Sequence, residues 1–264
     1  MDLGVRDRNY LIIGGTAGMG LATAQVLAAD GARIAVVGRD PARAQAALGR
    51  IAAPFATAVV GDVSREGEAA RVVEAAVGEL GGLDGVAVTT GTGQAAHSTL
   101  DAATDTMWTE AFDDLLMGTI RAVRAALPHL VAGGGGTVVT TAAYSIHAYH
   151  PARLPYVVMK SGVAAFTKTV AKEYGPSGVR ANCVCPGAIE TAGLAAMRRQ
   201  LAEARGLPAE GLLEQVMIDE WHMHVALGRP GTPEEVGELF AFLLSPRAGY
   251  LSGATINIDG GTDF

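Results

Sequence analysis

A tyrosine and a lysine four positions apart are the residues of this sequence best suited to proton chemistry. Tyr156 and Lys160 stand in the stretch YVVMKSG, and on a helix that spacing places both side chains on one face, one turn apart. A phenol has an ordinary pKa of about 10 and exchanges protons poorly at neutral pH. Because a nearby ammonium group favours the phenolate, we expect Lys160 to lower the pKa of Tyr156 towards the range useful for general acid/base catalysis. On an ordinary helix the same pair is a packed tyrosine and an exposed lysine.

A second candidate feature is the glycine-rich stretch from Tyr10 to Gly20, YLIIGGTAGMG. Its apolar start predicts a buried strand, and the Ala- and Leu-bearing segment after Gly20 predicts a helix. Glycines between a strand and a helix let the chain turn tightly, and the N–H groups at the helix start favour an anion. The order Gly14-x-x-x-Gly18-x-Gly20 therefore indicates a phosphate-binding turn, although a tight connection without a ligand uses glycines in the same way.

Further apolar runs alternate with helical patterns along the rest of the chain. Strand-helix-strand order with short connections favours parallel pairing through right-handed crossovers. The predicted strands cover residues 10–13, 33–38, 56–61, 86–91, 137–141, 179–185 and 256–258, and long helices are predicted at 106–130 and 155–174. In such a sheet the strand ends, with the loops that follow them, form the ligand-binding edge.

These features resemble the short-chain dehydrogenase/reductase family, classical type. Further matches along the chain are Asp62-Val63, Gly91, the Pro186-Gly187 segment and the closing Asp259-Gly260-Gly261. The resemblance spans essentially all 264 residues and implies an α/β fold, a single-domain doubly wound parallel sheet (Rossmann-like) with helices on both faces over residues 1–264. It also implies a substrate lid at about 190–227, a Met- and Leu-bearing insertion that contains Trp221, His222, Met223 and His224.

For function, the resemblance implies an NAD(P)-dependent oxidoreductase that interconverts a secondary alcohol and a ketone by hydride transfer. Tyr156 is then the general acid/base, and Lys160 tunes it and binds the nicotinamide ribose. Asp62 is expected to read the adenine amino group, and the simpler alternative is that Asp62 is a turn residue or Asx cap before Ser64. The implied cofactor-binding residues are Gly14, Thr16, Ala17, Gly18, Met19, Gly20, Arg39, Asp62, Val63, Gly91, Tyr156, Lys160, Pro186, Gly187, Ile189 and Thr191.

The end of the second predicted strand favours NADP over NAD. Gly38 stands where NAD-binding family members carry an acidic residue for the ribose hydroxyls, and Arg39 follows it. A guanidinium suits a 2′-phosphate, whereas Arg39 in the simpler interpretation is a solvated charge at a helix start. Asp40 either caps the next helix and points away or repels a phosphate.

Three positions depart from the family pattern. Leu115 stands where many members carry a catalytic asparagine, Ala143 replaces the usual serine, and Val88-Thr89-Thr90 precedes Gly91 in place of two asparagines and an alanine. A serine hydroxyl at position 143 would polarise the substrate carbonyl. Ser145 is the preferred substitute, Thr141 is the other, and the absence of any such hydroxyl is the third possibility.

These departures keep other functions open. One alternative is a cofactor-binding protein with weak or no catalysis, because the usual Asn and Ser positions are Leu115 and Ala143. Tight NADPH binding without ketone-dependent oxidation would favour it. A cofactor-free lyase resembling the halohydrin dehalogenases is less favoured, since those proteins carry arginine where this chain has Lys160 and lack the glycine turn.

Composition and charge set the remaining expectations. The formal charge of −7, with no run of lysines and arginines, argues against nucleic-acid or anionic-membrane partners. No apolar run of bilayer length and no signal peptide is expected, so the protein is predicted to be cytoplasmic. The two cysteines, Cys183 and Cys185, predict ordinary strand packing, neither a disulfide nor a metal site. The expected partner is a small carbonyl or alcohol substrate, largely apolar, and the resemblance implies a homo-oligomer, tetramer or dimer.

Overall fold

The computed structural model describes residues 2–91, 98–219 and 223–262, and in it the chain forms a seven-stranded sheet. Neighbouring strands are parallel throughout, in the order 3-2-1-4-5-6-7. Because the strand order reverses between β1 and β4, the sheet is doubly wound, as the sequence predicts. The strands are β1 (Asn9–Ile13), β2 (Arg33–Gly38), β3 (Phe55–Val60), β4 (Gly85–Val88), β5 (Gly136–Thr141), β6 (Val179–Pro186) and β7 (Thr255–Ile258).

Helices cover both faces of this sheet. They are α1 (Gly18–Ala29), α2 (Pro41–Leu48), α3 (Glu68–Leu80), α4 (Asp105–Ala111), α5 (Gly118–Ala132), α6 (Leu154–Tyr174), α7 (Ala192–Arg205), α8 (Leu212–Asp219) and α9 (Pro233–Leu244). Helix α9 begins at a capping box in which Thr232 and Glu235 satisfy each other's backbone N–H groups.

Strand β1 shows why the apolar runs mark the centre of the fold. Leu11 and Ile13 face one side, in a core cluster with α3 and α5 residues such as Val72 and Val123. Ile12 faces the other side, in a cluster that includes Phe240 of α9. Successive strand residues point to opposite faces, so a strand covered by helices on both sides must be apolar at every position.

The helical stretch Asp105–Ala132 departs from two expectations. It is 28 residues long, and an 18-residue window within it reaches a mean hydropathy of 1.2, so by length and composition it could cross a membrane, and the expectation that no run approaches that length is wrong. Its apolar character has a structural cause, because Ala122, Val123 and Leu130 are buried in the core. The predicted continuous helix is also interrupted by a π-helical segment, Phe112–Met117, between α4 and α5.

Candidate active site

The turn between β1 and α1 admits only glycine at its key positions. Gly14 and Gly18 have φ values of +84° and +50°, in the region that favours glycine. A Cβ on Gly14 would lie 2.8 Å from Thr89 Oγ1, and a Cβ on Gly20 would collide with the Gly14 carbonyl oxygen and Thr89 Oγ1. The turn is therefore pressed against the end of β4.

The start of α1 is suited to an anion. Its N-cap residue, Ala17, provides no side-chain hydrogen bond to the first N–H groups of the helix. Those groups and the helix dipole favour a negative ligand such as a pyrophosphate. Thr16 precedes the N-cap Ala17 and Met19 is the second residue of the helix, and the predicted contacts of both with a cofactor stay predictions.

The segment after β6 covers the same turn from the other side. A Cβ on Gly18 would lie 3.4 Å from Thr191 Cγ2, so Thr191 sits directly over the glycines. Gly187 packs against Asp259, whose Cα would be 2.8 Å from a Cβ at that position. Ile189 is buried and bridges to Gly231. The structure therefore brings the Pro186-to-Thr191 segment and the glycine turn together.

A cavity of about 640 Å³ lies at the ends of β2 and β3. It is lined by Arg39, Val60, Gly61, Asp62, Arg65, Glu68 and Arg71. A side chain on Gly38 would begin 2.5 Å from Thr16 Cγ2, so the position where NAD-binding members carry an acid has no room for one. Asp40 caps α2, accepting from Ala42 N at 2.8 Å and Arg43 N at 3.1 Å, as one of the two sequence interpretations proposed.

Asp62 makes the local contacts of a turn residue. Its Oδ1 accepts from the backbone N of Ser64 at 3.1 Å and from the Ser64 hydroxyl at 2.7 Å, and Arg65 lies 3.8 Å from its other oxygen. Asp62 nevertheless lines the cavity, whereas the side chain of its neighbour Val63 is buried in the core. The turn and the ligand-facing interpretations of Asp62 are therefore compatible.

Tyr156 and Lys160 occupy one face of α6, as predicted. Lys160 is 1% exposed, and its Nζ donates to the Thr141 carbonyl oxygen at 3.0 Å and lies 5.9 Å from the centre of the Tyr156 ring. A Cβ on Gly91 would be 3.5 Å from that Nζ. The ammonium group is thus fixed between the end of β5, the end of β4 and the phenol ring.

The expected pKa effect of this pair is not what the structure gives. Burial raises the pKa of Tyr156 to about 12, and the cation that opposes this most is Arg153. Burial also lowers the pKa of Lys160 to about 8, because the charged form loses its hydration. The pKa of Tyr156 therefore moves opposite to the predicted direction, because desolvation outweighs the charges around the phenol, and the largest of these charges is Arg153, not Lys160.

The positions that depart from the family pattern are apolar or buried. Leu115 lies fully buried in the π-helical segment, in a cluster with Ala111 and Met159. Ala143 is buried just after β5. Of the two substitute hydroxyls, Thr141 Oγ1 donates to the Val88 carbonyl oxygen at 2.8 Å and is committed to the sheet. Ser145 is fully buried, and its Oγ has no hydrogen-bond partner among the described residues.

Thr90 is a site residue that the sequence analysis did not select. Its Oγ1 is also buried without a partner in the described part of the chain, and its Cγ2 would lie 3.1 Å from a Cβ on Gly14. A buried hydroxyl without a partner costs free energy unless a ligand supplies one. Together with the glycine cradle, Thr90 fits a bound dinucleotide. The sequence could have indicated it, because Thr90 directly precedes the predicted cofactor-binding residue Gly91 and carries a hydroxyl.

The predicted lid contains the helices α7 and α8, and its residues 220–222, including Trp221 and His222, lie outside the described part of the chain. Met217 and Met223 pack on Tyr144 in an apolar cluster that also includes Met197. Arg198 of α7 joins the two lid helices. Its Nη1 lies 2.8 Å from Glu190 Oε1, and its Nη2 lies 2.7 Å from Glu214 Oε1.

A glycine cradle for phosphates and a half-buried tyrosine beside a buried lysine, both at the carboxyl edge of a doubly wound sheet, define the class of protein as a dinucleotide-dependent oxidoreductase. A family model described as Enoyl-(Acyl carrier protein) reductase matches residues 14–263. The chain belongs to the short-chain dehydrogenase/reductase family.

Relatives and solved structures agree with this assignment. The chain is 32% identical over 260 residues to the A-factor type gamma-butyrolactone 1'-reductase (1S-forming) of Streptomyces virginiae, covering 97% of this chain and 95% of that protein. It is 31% identical to the short-chain reductase protein NovJ of Streptomyces niveus, covering 95% and 92%. The crystal structure of L-sorbose reductase from Gluconobacter frateurii, complexed with NADPH and L-sorbose, has a TM-score of 0.91 at 30% identity, covering 99% and 98%.

Proposed function

We propose that the protein is an NADP-dependent oxidoreductase that interconverts a ketone and a secondary alcohol. The observation that carries the proposal is the placement of Lys160. Its ammonium group is buried between the Thr141 carbonyl oxygen, the Tyr156 ring and Gly91, at the strand ends where a nicotinamide ribose would lie. Holding a cation in that place costs desolvation free energy, which a purely structural lysine does not require.

The roles of the residues follow from their positions. When bound, the nicotinamide supplies or accepts the hydride at the carbonyl carbon. Tyr156 gives the proton to the ketone oxygen or takes it back, and Lys160 holds the ribose. Ser145 is proposed to hold the carbonyl oxygen, supported by its buried hydroxyl without a partner among the described residues.

The preference for NADP is proposed from the cavity beside Arg39. A side chain at position 38 would collide with the side chain of Thr16 as it stands, and the carboxylate of Asp40 accepts hydrogen bonds from the first N–H groups of α2. Arg39 and Arg65 both line the cavity, and a guanidinium pairs well with a phosphate. The L-sorbose reductase neighbour is complexed with NADPH, which supports the same choice.

The remaining cofactor contacts are proposed for the residues that surround the glycine turn. They are Gly14, Thr16, Ala17, Gly18, Met19, Gly20, Asp62, Val63, Gly91, Pro186, Gly187, Ile189 and Thr191, to which we add Thr90. A single domain over 1–264 with a lid at about 190–227, a cytoplasmic location and assembly as a tetramer or dimer stay predictions.

The test combines cofactor binding and turnover. We expect NADPH fluorescence to change on addition of the protein, and members of a ketone panel to oxidise the bound NADPH. Tyr156→Phe should lower kcat by about 1,000-fold or more with an unchanged Kd for NADPH, because only proton transfer is removed. Tyr250→Phe, at a fully exposed tyrosine, is the matched control. NADPH binding without oxidation by any ketone, and no effect of Tyr156→Phe, would instead support the cofactor-binding alternative.

A further inference from the structure

The hydroxyl group of Tyr144 is buried under the predicted lid and donates its proton to a weak acceptor. Tyr144 stands shortly after β5 and is 8% exposed, and its Oη donates to Met223 Sδ at 3.0 Å. The same oxygen accepts from Arg153 Nη1 at 2.6 Å. A thioether sulfur is a weak acceptor, and a methionine side chain changes conformation easily. An oxygen acceptor of a ligand would therefore readily take the place of Met223 at this hydroxyl.

The contact with Arg153 makes Tyr144 a donor towards a ligand. A guanidinium has only N–H groups to offer, so in this bond the Tyr144 oxygen accepts. Bonds from a charged donor are the stronger kind, and successive hydrogen bonds polarise one another. A hydroxyl that accepts from Arg153 is therefore a better donor for its own proton. The group that it can bind in a ligand is an acceptor.

Tyr144 stands beside the proposed proton donor. Burial raises the pKa of Tyr156 to about 12, Arg153 opposes this effect, and Tyr144 adds to the rise. The ring of Tyr144 also packs in an apolar cluster that contains Ala188, from the segment after β6, and Met217 of the predicted lid. Tyr144 thus lies among the proposed general acid, the proposed cofactor-binding segment and the lid, which is where a carbonyl substrate would bind.

The reacting carbonyl oxygen has no lone pair left for a third hydroxyl group. A carbonyl oxygen has two lone pairs, and in the proposed function Tyr156 and Ser145 occupy both. The hydroxyl of Tyr144 therefore serves another oxygen atom of the substrate. Because the cluster around Tyr144 is apolar, a group that only accepts fits better than a hydroxyl, whose own proton would lie unpaired. A second carbonyl group is such an acceptor.

On the basis of the proposed reductase function, we propose that the substrate is a dicarbonyl compound with an apolar body. One carbonyl group reacts: its carbon receives the hydride of NADPH and its oxygen the proton of Tyr156. The oxygen of the other carbonyl group accepts a hydrogen bond from the Tyr144 hydroxyl, in place of Met223 Sδ, and is unchanged by the reaction. Tyr144 is therefore a specificity-determining residue.

Diketones and the monoketone of the same chain length test this assignment. NADPH oxidation is measured with straight-chain α-, β- and γ-diketones and with the monoketone, and each kcat/KM is divided by that of the monoketone. Tyr144→Phe keeps the ring in the apolar cluster and removes only the hydroxyl. For the diketone whose second carbonyl group reaches Tyr144, we expect the ratio to fall about tenfold in this variant, which corresponds to one hydrogen bond. The monoketone should keep its kcat/KM within about threefold. The intrinsic reactivity of a diketone is the same with both proteins, so it cancels from the comparison.

Two further variants separate the hydroxyl from its surroundings. Tyr149→Phe removes the hydroxyl of an exposed tyrosine between β5 and α6 and should leave every ratio unchanged. Met223→Leu removes the thioether acceptor and keeps an apolar side chain of similar size. The Tyr144 hydroxyl is then unpaired when the monoketone is bound, so the ratio for the preferred diketone should rise about threefold. Ratios that are the same in the unchanged protein and in Tyr144→Phe, for all three diketones, would overturn the dicarbonyl assignment while the reductase function stands.

A binding measurement separates failure of this assignment from failure of the proposed function. The diketones and the monoketone are added to the protein saturated with oxidised NADP, which has no hydride to give, and Tm is followed. With the unchanged protein we expect the preferred diketone to raise Tm more than the monoketone does, and with Tyr144→Phe by the same amount as the monoketone. If no ketone is reduced by NADPH but this Tyr144-dependent difference appears, the second-carbonyl site is supported and the reductase function is refuted. If the difference in Tm is the same in both proteins, the site is refuted.

Discussion

Replacing Lys160 by methionine should stabilise the protein without cofactor at pH 7 while abolishing its activity. Burial lowers the pKa of Lys160 from 10.5 to about 8. At about 1.36 kcal/mol per pKa unit, the folded state therefore bears a cost of about 3 kcal/mol for holding the charge. Methionine keeps an apolar stem of similar length and loses the hydrogen bond to the Thr141 carbonyl oxygen, worth about 1 kcal/mol. The net gain is about 2 kcal/mol, or a rise in Tm of about 4 to 8 °C for a chain of this size.

The lowered pKa of Lys160 makes the stability difference between the two proteins depend on pH. Between pH 8 and 10.5 the unfolded chain still binds a proton at Lys160 that the folded chain has released, so the free energy of unfolding rises with pH across that window. The methionine variant lacks this rise. Its advantage should therefore be fully present at pH 7, shrink above pH 8 and vanish at about pH 9.5, and by about pH 10.5 the variant should be less stable by the ~1 kcal/mol of the lost hydrogen bond.

Calorimetry of the cofactor-free protein at several pH values is the assay. Lys172→Met is the matched control, because Lys172 is exposed on the same helix, and we expect its effect to stay within about 0.5 kcal/mol at every pH. A Lys160→Met variant that is less stable than the unchanged protein at pH 7, by an amount that does not vary with pH, would refute the argument. Such a result would mean that the ammonium group contributes more through its contacts than it loses in hydration.

Three further outcomes are expected from other parts of the structure. Arg39→Gln should weaken NADPH binding about tenfold and leave NADH binding unchanged in fluorescence titrations, while Arg43→Gln, next to the same helix start, changes neither. Gly20→Ala should lower the free energy of unfolding, measured by urea denaturation, by about 2 kcal/mol, because the new Cβ collides with backbone. At Gly78 of α3 a Cβ meets no other atom, so the control Gly78→Ala should raise the free energy of unfolding by about 0.5 to 1 kcal/mol. Arg198→Met removes the ion pairs with Glu190 and Glu214, so proteolysis between α7 and α8 should accelerate several-fold. Equal cleavage rates for the variant and the unchanged protein would show that these ion pairs do not hold the two helices together.

The parts of the fold that the sequence predicts depend on local periodicity. The apolar run at β1 identifies a buried strand because both of its faces are covered, and the spacing of Tyr156 and Lys160 places them on one helix face by geometry alone. The short π-helical segment Phe112–Met117 does not differ in composition from the helices on either side, so the sequence analysis did not predict it. Local pattern thus predicts element type well and small irregularities poorly.

Features that depend on distant contacts were beyond the sequence analysis. The raised pKa of Tyr156 follows from burial by other elements, and no residue within the helix signals it. The grouping of Arg153 with Tyr144 and Met223 joins segments up to 79 residues apart in sequence. The hydroxyl of Thr90 shows its significance only as a buried group without a partner in the described part of the chain. Such properties arise from packing, which periodicity does not encode.

The contact of Thr191 with the glycine turn couples nucleotide binding to substrate binding. Thr191 sits over Gly18 and caps α7, and the adjacent Glu190 forms an ion pair with Arg198 of that helix. The segment of Glu190 and Thr191 therefore contacts both the glycine turn, where the nucleotide is proposed to bind, and the predicted lid. Two ligands that both order one segment must influence each other's affinity by the same factor. We therefore expect the nucleotide and the carbonyl compound to change each other's affinity by one and the same factor, which titration of each ligand with and without the other would measure.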